Sequence, residues 1–217
     1  MGLLHSPSLV MDGLVFSIDA GNSRCYSGSG LTAFSLNNNI NMALNNGVGF
    51  TSSNNGIFIF DGSDDFMSSA SNSGISGTQS RTLCAWSKFN NITSSVVCGI
   101  GEADFYKLFE IHAYQNKITG HRYGAETIGP NISTGVWYFT VYSYDGSTSR
   151  LYLNSSLVAS TVETLNTTNT TLTIGRKTYS ANSNMNGNVP QVFLYNRALS
   201  AQEVLQNYNA TKKRYGL

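Results

Sequence analysis

Leu14, Phe16 and Ile18 alternate with Val15 and Ser17, and the run stops at Asp19, Ala20, Gly21 and Asn22. Apolar residues at every second position, closed by turn formers, predict a half-buried β-strand. The habit recurs along most of the chain. Strands are predicted at Val48–Thr51, Ile57–Phe60, Phe66–Ser69, Thr82–Phe89, Ser95–Ile100, Tyr106–Ala113 and Lys117–Tyr123. Further ones follow at Val136–Tyr144, Arg150–Asn154, Leu157–Val162, Leu172–Ile174 and Val189–Tyr195. The polar stretch Ser23–Asn46 reads as a long loop with room for one short edge strand. Asp61 with Gly62, and Asp145 with Gly146, supply a side-chain cap and a residue tolerant of positive φ, so each predicts a hairpin.

Only the end of the chain has a helical signature. Ser200 and Glu203 stand at capping-box spacing, and Leu199 and Val204 occupy the two positions of a hydrophobic staple. A helix over about residues 200–209 follows, with Val204, Leu205 and Tyr208 as its apolar face. Many short strands and one helix predict an all-β sandwich of two antiparallel sheets.

Composition narrows the function classes. Asn, Ser, Thr and Gly make up 93 of the 217 residues, and only 12% are charged, which disfavours a helical domain. Twelve Tyr, eleven Phe and two Trp supply enough apolar surface to exclude disorder of the whole. Net charge is +1, and three of the thirteen basic residues (Lys212, Lys213 and Arg214) sit in the last six positions. A nucleic-acid surface is therefore not expected, nor is a membrane span, because no apolar run approaches ~20 residues. No export signal is read at the N-terminus, and the fit of Met1 to Ser6 to a myristoylation pattern is read as chance. Cys25, Cys84 and Cys98 are odd in number and unpatterned, so buried thiols are expected, with a bridge between Cys84 and Cys98 left open. Six Asn-x-Ser/Thr sites are read as unglycosylated, being what a chain of this composition generates by chance.

Eight segments in order carry a family likeness: Gly13 to Asn22, Phe60 to Phe66, Thr82 to Trp86, Gly135 to Tyr138, Tyr144 to Ser147, Arg150 to Asn154, Leu172 to Arg176 and Leu194 to Glu203. Together they resemble the laminin-G-like branch of the concanavalin A-type lectin/glucanase superfamily. The closing run from Asn196 to Tyr208, with Arg214 to Leu217, further resembles the version of this domain in structural proteins of tailed bacteriophages. The resemblance implies a jelly-roll sandwich over residues 13–217, with a glycan-binding or partner-binding surface on its loops or concave face. Two places depart from the family pattern: Ala33 to Asn37 replaces a Trp-Asp-Leu-Ser-like segment, and Asn154-Ser155 stands where Asn-Gly usually turns a hairpin.

The superfamily's glucanases use a carboxylate pair, and the nearest match, Glu102 with Asp104, is followed by Tyr106 and Lys107 where a further Glu would stand. No catalytic residue is assigned, and the chain is read as non-enzymatic. His5, His112 and His121 are read as ordinary histidines. Asp61, Asp64 and Asp65 could hold Ca²⁺, though turn capping accounts for them equally, and no other cofactor is expected. Trp86 and Trp137 are assigned to the core. Tyr26, Tyr123 and Tyr179, with Arg122 and Arg176, are the candidate glycan-binding residues. Leu3, Leu4, Leu9, Val10 and Met11 lie in an arm, residues 1–12, proposed to dock on a virion partner; the alternative is that Leu9–Met11 extends the first strand.

The resulting expectation is a bacteriophage virion structural protein. Capsid decoration, with the major capsid protein as partner, is preferred over a tail appendage. The rival is a carbohydrate-binding module or tail appendage that recognises host-surface glycans, and self-association is left open.

Overall fold

The computed structural model describes residues 7–37, 40–177 and 183–217. In chain order its strands are β1 (Leu14–Asp19), β2 (Thr32–Phe34), β3 (Asn41–Asn45), β4 (Gly49–Thr51), β5 (Ile57–Asp61), β6 (Phe66–Asn72), β7 (Arg81–Phe89) and β8 (Ser94–Gly101). They continue with β9 (Leu108–Tyr114), β10 (Lys117–Arg122), β11 (Ala125–Asn131), β12 (Trp137–Tyr144), β13 (Thr148–Leu153), β14 (Ser156–Val162), β15 (Thr171–Ile174) and β16 (Asn186–Tyr195). Helix α1 (Ala201–Thr211) and a 3₁₀ turn, Lys212–Tyr215, follow. The first sheet runs β14-β13-β12-β7-β16-β5-β4, with β1 also on β16; the second runs β11-β10-β9-β8-β15-β6-β3-β2. All the pairings are antiparallel, and the molecule is the expected jelly-roll sandwich.

Two hydrophobic layers flank the first sheet. Phe16, Ile18, Phe58, Phe60 and Leu83 meet Met67, Val97, Ile100, Phe109 and Ile111 between the sheets. On the far side Trp86, Phe139, Val141 and Tyr195 are roofed by Leu199, Val204 and Tyr215. The indole of Trp86 lies 4.2 Å from the Tyr215 ring and 5.8 Å from Tyr208, centroid to centroid, and its N–H donates to Thr211 Oγ1 at 2.8 Å. Burial on both faces explains why β7 reads as a nearly continuous apolar run rather than an alternating one. Both tryptophans are core, but they lie beneath the helix and not between the sheets. The capping box forms as predicted: Ser200 Oγ accepts from Glu203 N–H, and Glu203 accepts from Ser200 N–H at 2.8 Å. Leu205 turns outward, 37% exposed, so the buried helical face is Val204, Asn207 and Thr211.

Several expectations are corrected. The Asp61–Asp64 turn makes no hairpin: β5 pairs with β16 and β4 in the first sheet, β6 with β15 and β3 in the second. The turn carries the chain from one sheet to the other. The loop Ser23–Asn46 holds two strands, β2 and β3, and β11 was not foreseen. Cys84 and Cys98 lie in different sheets, and all three cysteines are free and buried.

The arm is corrected as well. Val10 is buried against its own domain: its N–H donates to Asn207 Oδ1 at 2.9 Å, and its carbonyl accepts from Tyr195 O–H at 3.0 Å. Leu9 packs beside it. The Val10 side chain is therefore not available to a virion partner. Met11 is 64% exposed, while Leu3 and Leu4 lie outside the described residues. The Asp145–Gly146 hairpin forms between β12 and β13 as expected. Asn154 and Ser155 also turn a hairpin, with φ of 48° and 72°, a conformation that a glycine would adopt at lower cost.

Candidate functional site

An open cleft of about 540 Å³ lies where the end of β1, the loop after it, β4 and the turn after β4 converge. Tyr26 and Phe50 provide its aromatic wall, their ring centroids 5.2 Å apart and edge to face. Ser23, Ser27, Ser52 and Asn55 provide hydroxyl and amide groups, and Gly21, Gly28 and Gly56 keep the backbone open. The lower turn has left-handed backbone at Asn54, Asn55 and Gly56 and is clamped from the C-terminal end of the chain. Arg214 donates to the carbonyls of Asn54, Asn55 and Gly56 and pairs with Asp19. Asp19 in turn accepts from Gln191 Nε2 at 2.7 Å, and Gln191 accepts from Tyr215 O–H at 3.0 Å. A rigid apolar wall with a few convergent polar groups is the usual form of a small-ligand site. No charged side chain is among the described residues that line this one.

Residues 61–205 match the Laminin_G_3 family model of the concanavalin A-like lectin/glucanases superfamily. The chain belongs to that superfamily. No curated protein matches it. Among solved structures it is similar to the binding domain of Paraclostridial Mosquitocidal Protein 1, with a TM-score of 0.70 and 16% identity over 91% of this chain and 52% of that one. It is also similar to domain 4 of an extracellular arabinanase from Geobacillus stearothermophilus in complex with arabinotriose, with a TM-score of 0.65 and 12% identity over 90% and 98% of the two chains. A third similar structure is Trypanosoma rangeli sialidase, with a TM-score of 0.68 and 13% identity over 95% of this chain and 34% of that one. The chain thus spans about half of the mosquitocidal structure and a third of the sialidase. At these identities the likeness shows a shared lectin-type fold.

This superfamily domain does not gather its predicted glycan residues at one place. Tyr26 lines the cleft but is only 6% exposed; its hydroxyl donates to Gly30 O at 2.9 Å and burial raises its pKa. It is not the exposed stacking face expected of it. Tyr123 lies at the turn between β10 and β11, near the opposite edge of the second sheet, edge-on to the exposed Phe105 at 6.0 Å. Arg122 is corrected: it is 4% exposed and paired with Glu163, with Thr127 also accepting from it at 3.2 Å. Its guanidinium is committed to the interior and cannot reach a ligand. Arg176 sits half-buried over the Phe66 ring, 3.2 Å from its centroid. Tyr179 lies outside the described residues.

Asp61, Asp64 and Asp65 do come together, with carboxylate oxygens within 4.8 Å of one another. Asp61 Oδ1 accepts from Ser63 N–H at 2.7 Å, which lowers its pKa; Asp65 Oδ2 accepts from Asp61 N–H at 3.0 Å, while burial raises its pKa. These bonds build the inter-sheet turn. Phe50, Ser52 and Asn55 were missed by sequence reasoning. Phe50 reads as an ordinary strand residue, and only its pairing with Tyr26 across a long connection marks it.

Proposed function

We propose that this chain is a non-catalytic, lectin-like binding module that takes a neutral saccharide in the Tyr26–Phe50 cleft and is displayed on a bacteriophage particle. The observation that carries the reading is the cleft itself. The half-buried Phe50 ring suits the apolar face of a sugar ring, serine hydroxyls and an asparagine amide suit its hydroxyl groups, and the lack of charge among the described lining residues favours an uncharged sugar. Further support comes from the lectin-type fold and from a structural neighbour solved with an arabinose oligomer. The non-catalytic part is supported by the lining, which includes neither carboxylate nor imidazole. In addition, Asp104 is engaged by Lys107 at 2.8 Å, and Glu102 accepts from Thr168 Oγ1 at 3.3 Å. The virion assignment is supported by the likeness of the run from Asn196 to Tyr208, and it makes capsid or tail proteins the partners.

Neutral and charged oligosaccharide arrays, probed with the wild-type chain and with Ser52→Trp, test the binding. Exposed Ser52 tolerates a larger side chain, and an indole there fills the cleft. Binding to a neutral glycan that Ser52→Trp abolishes is expected. Binding to charged glycans alone, binding unaffected by the substitution, or turnover of the bound glycan overturns the reading. Peptide mass spectrometry of purified phage particles tests the location: the polypeptide is expected at a fixed copy number per particle, and its absence overturns that part.

A further inference from the structure

Away from the cleft, alternation along β9 sends Phe109 and Ile111 into the core and turns Glu110 and His112 to the opposite face of the second sheet. Register places His121 of β10 directly across from Glu110. One ligand-capable atom from each of Glu110, His112 and His121 lies within 4.8 Å of the other two. Gly99 of β8, opposite Glu110, makes the room: a Cβ there would stand 2.5 Å from the Cβ of Glu110.

Glu110 is 0% and His112 2% exposed, with His121 half-buried beside them, yet among the described residues both Glu110 oxygens, His112 Nδ1 and His121 Nε2 meet no hydrogen-bond partner. Each such atom costs free energy unless something in the site satisfies it. The remaining ring nitrogens are engaged. His112 Nε2 lies 3.1 Å from Ser94 Oγ, and His121 Nδ1 lies 3.2 Å from Glu126 Oε1. A ring that gives its hydrogen to a hydroxyl or carboxylate on one side presents a lone pair on the other, which is how metal-binding imidazoles are oriented.

We propose that Glu110, His112 and His121 form a binding site for a divalent first-row transition ion of the zinc class. Two imidazole nitrogens and one carboxylate suit such a borderline cation better than calcium, which takes oxygen ligands. Bonds of ~2.1 Å would draw tetrahedral ligand atoms to about 3.4 Å apart, a closure of roughly an ångström that side-chain rotation supplies. Glu126 and Ser94 orient the imidazoles.

The test uses the untagged full chain, stripped with EDTA and titrated with ZnCl₂ or CoCl₂. One equivalent of zinc bound per chain, a rise in melting temperature reversed by EDTA, and a visible cobalt spectrum of four- or five-coordinate type are expected. Glu110→Gln and His121→Gln are expected to remain folded in EDTA and to lose the zinc response. Glu126→Gln is expected to weaken zinc by the ~10–100-fold typical of an outer-shell partner. Zinc binding of equal affinity in Glu110→Gln or His121→Gln, failure of the wild type to bind, or full competition by CaCl₂ overturns the proposal. His121 is the least buried of the three, so its variant keeps the test decisive if Glu110→Gln fails to fold.

Discussion

Asn207 ties three parts of the chain together. Its Oδ1 accepts from Val10 N–H at 2.9 Å and its Nδ2 donates to Tyr195 O–H at 3.0 Å, so one amide joins the N-terminal segment, α1 and β16 in a fully buried position. Asn207→Ala removes two hydrogen bonds worth about 1 kcal/mol each and leaves the Val10 N–H buried without an acceptor, a further ~1 kcal/mol or more. The expected loss is about 3 kcal/mol, read as a lower urea midpoint at unchanged slope. For a domain of this size that corresponds to a fall in melting temperature of roughly 6–12 °C. In a chain lacking Met1–Val10 the same substitution should cost only about 1 kcal/mol, because the Tyr195 bond alone remains to be lost. A loss under about 0.5 kcal/mol in the full chain, or equal losses in the two backgrounds, would refute the reasoning, since surface substitutions cost that little.

Five other outcomes are expected. Ser155→Gly, at φ 72° in the β13–β14 turn, should stabilise the protein by about 0.5–1 kcal/mol in urea denaturation. Arg122→Met leaves Glu163 buried and unpaired and should cost about 3–5 kcal/mol, whereas Arg122→Met with Glu163→Leu should be close to neutral; equal costs for the single and double variants would contradict the pairing. Ser200→Ala should cost about 1 kcal/mol through loss of the cap. Arg197 and the cap hold Glu203 down at about 2, so the stability it contributes is complete above the ordinary Glu pKa of ~4.3 and is lost as pH falls through about 2. An acid melting series in the Glu203→Gln variant should lack that component. Burial pushes the Cys25 thiol up to about 11, that of Cys84 well above the usual thiol range and that of Cys98 higher than Cys25; a thiol-reactive dye should therefore label none in the native protein and all three in denaturant.

The sequence made the strand pattern, the sandwich and the helix cap legible because each is signalled within a few residues. What it hid was set at a distance. Asp61 and Gly62 declare a turn, but whether β6 pairs beside β5 or in the other sheet depends on β16 and β15, more than a hundred residues later. Of β2 and β3 only one short edge strand was read, because both are short and bury only Ala33, Met42 and Leu44 among Asn, Thr and Phe34. β11 was missed because Gly129 and Pro130 interrupt its pattern. Arg122 looked available because its partner, Glu163, follows β14. The cleft was half legible: Tyr26 stood out among glycines and serines, while Phe50 did not. The Glu110–His112–His121 cluster was in principle readable as an i, i+2 pair on a strand, but the cross-strand register that adds His121 was not.

The position of β16 has a consequence for how the molecule comes into being. This strand lies inside the first sheet, with β7 along one side and β5 and β1 sharing the other. During synthesis β1, β5 and β7 emerge early, yet they have no common neighbour until residues 186–195 leave the ribosome. Contacts of such long sequence separation are slow to form. The nascent chain must therefore hold unpaired apolar edges until β16 is made, and it is expected to be prone to misassociation at high expression. A truncation that stops before β16 should yield an aggregating product and not a smaller sandwich.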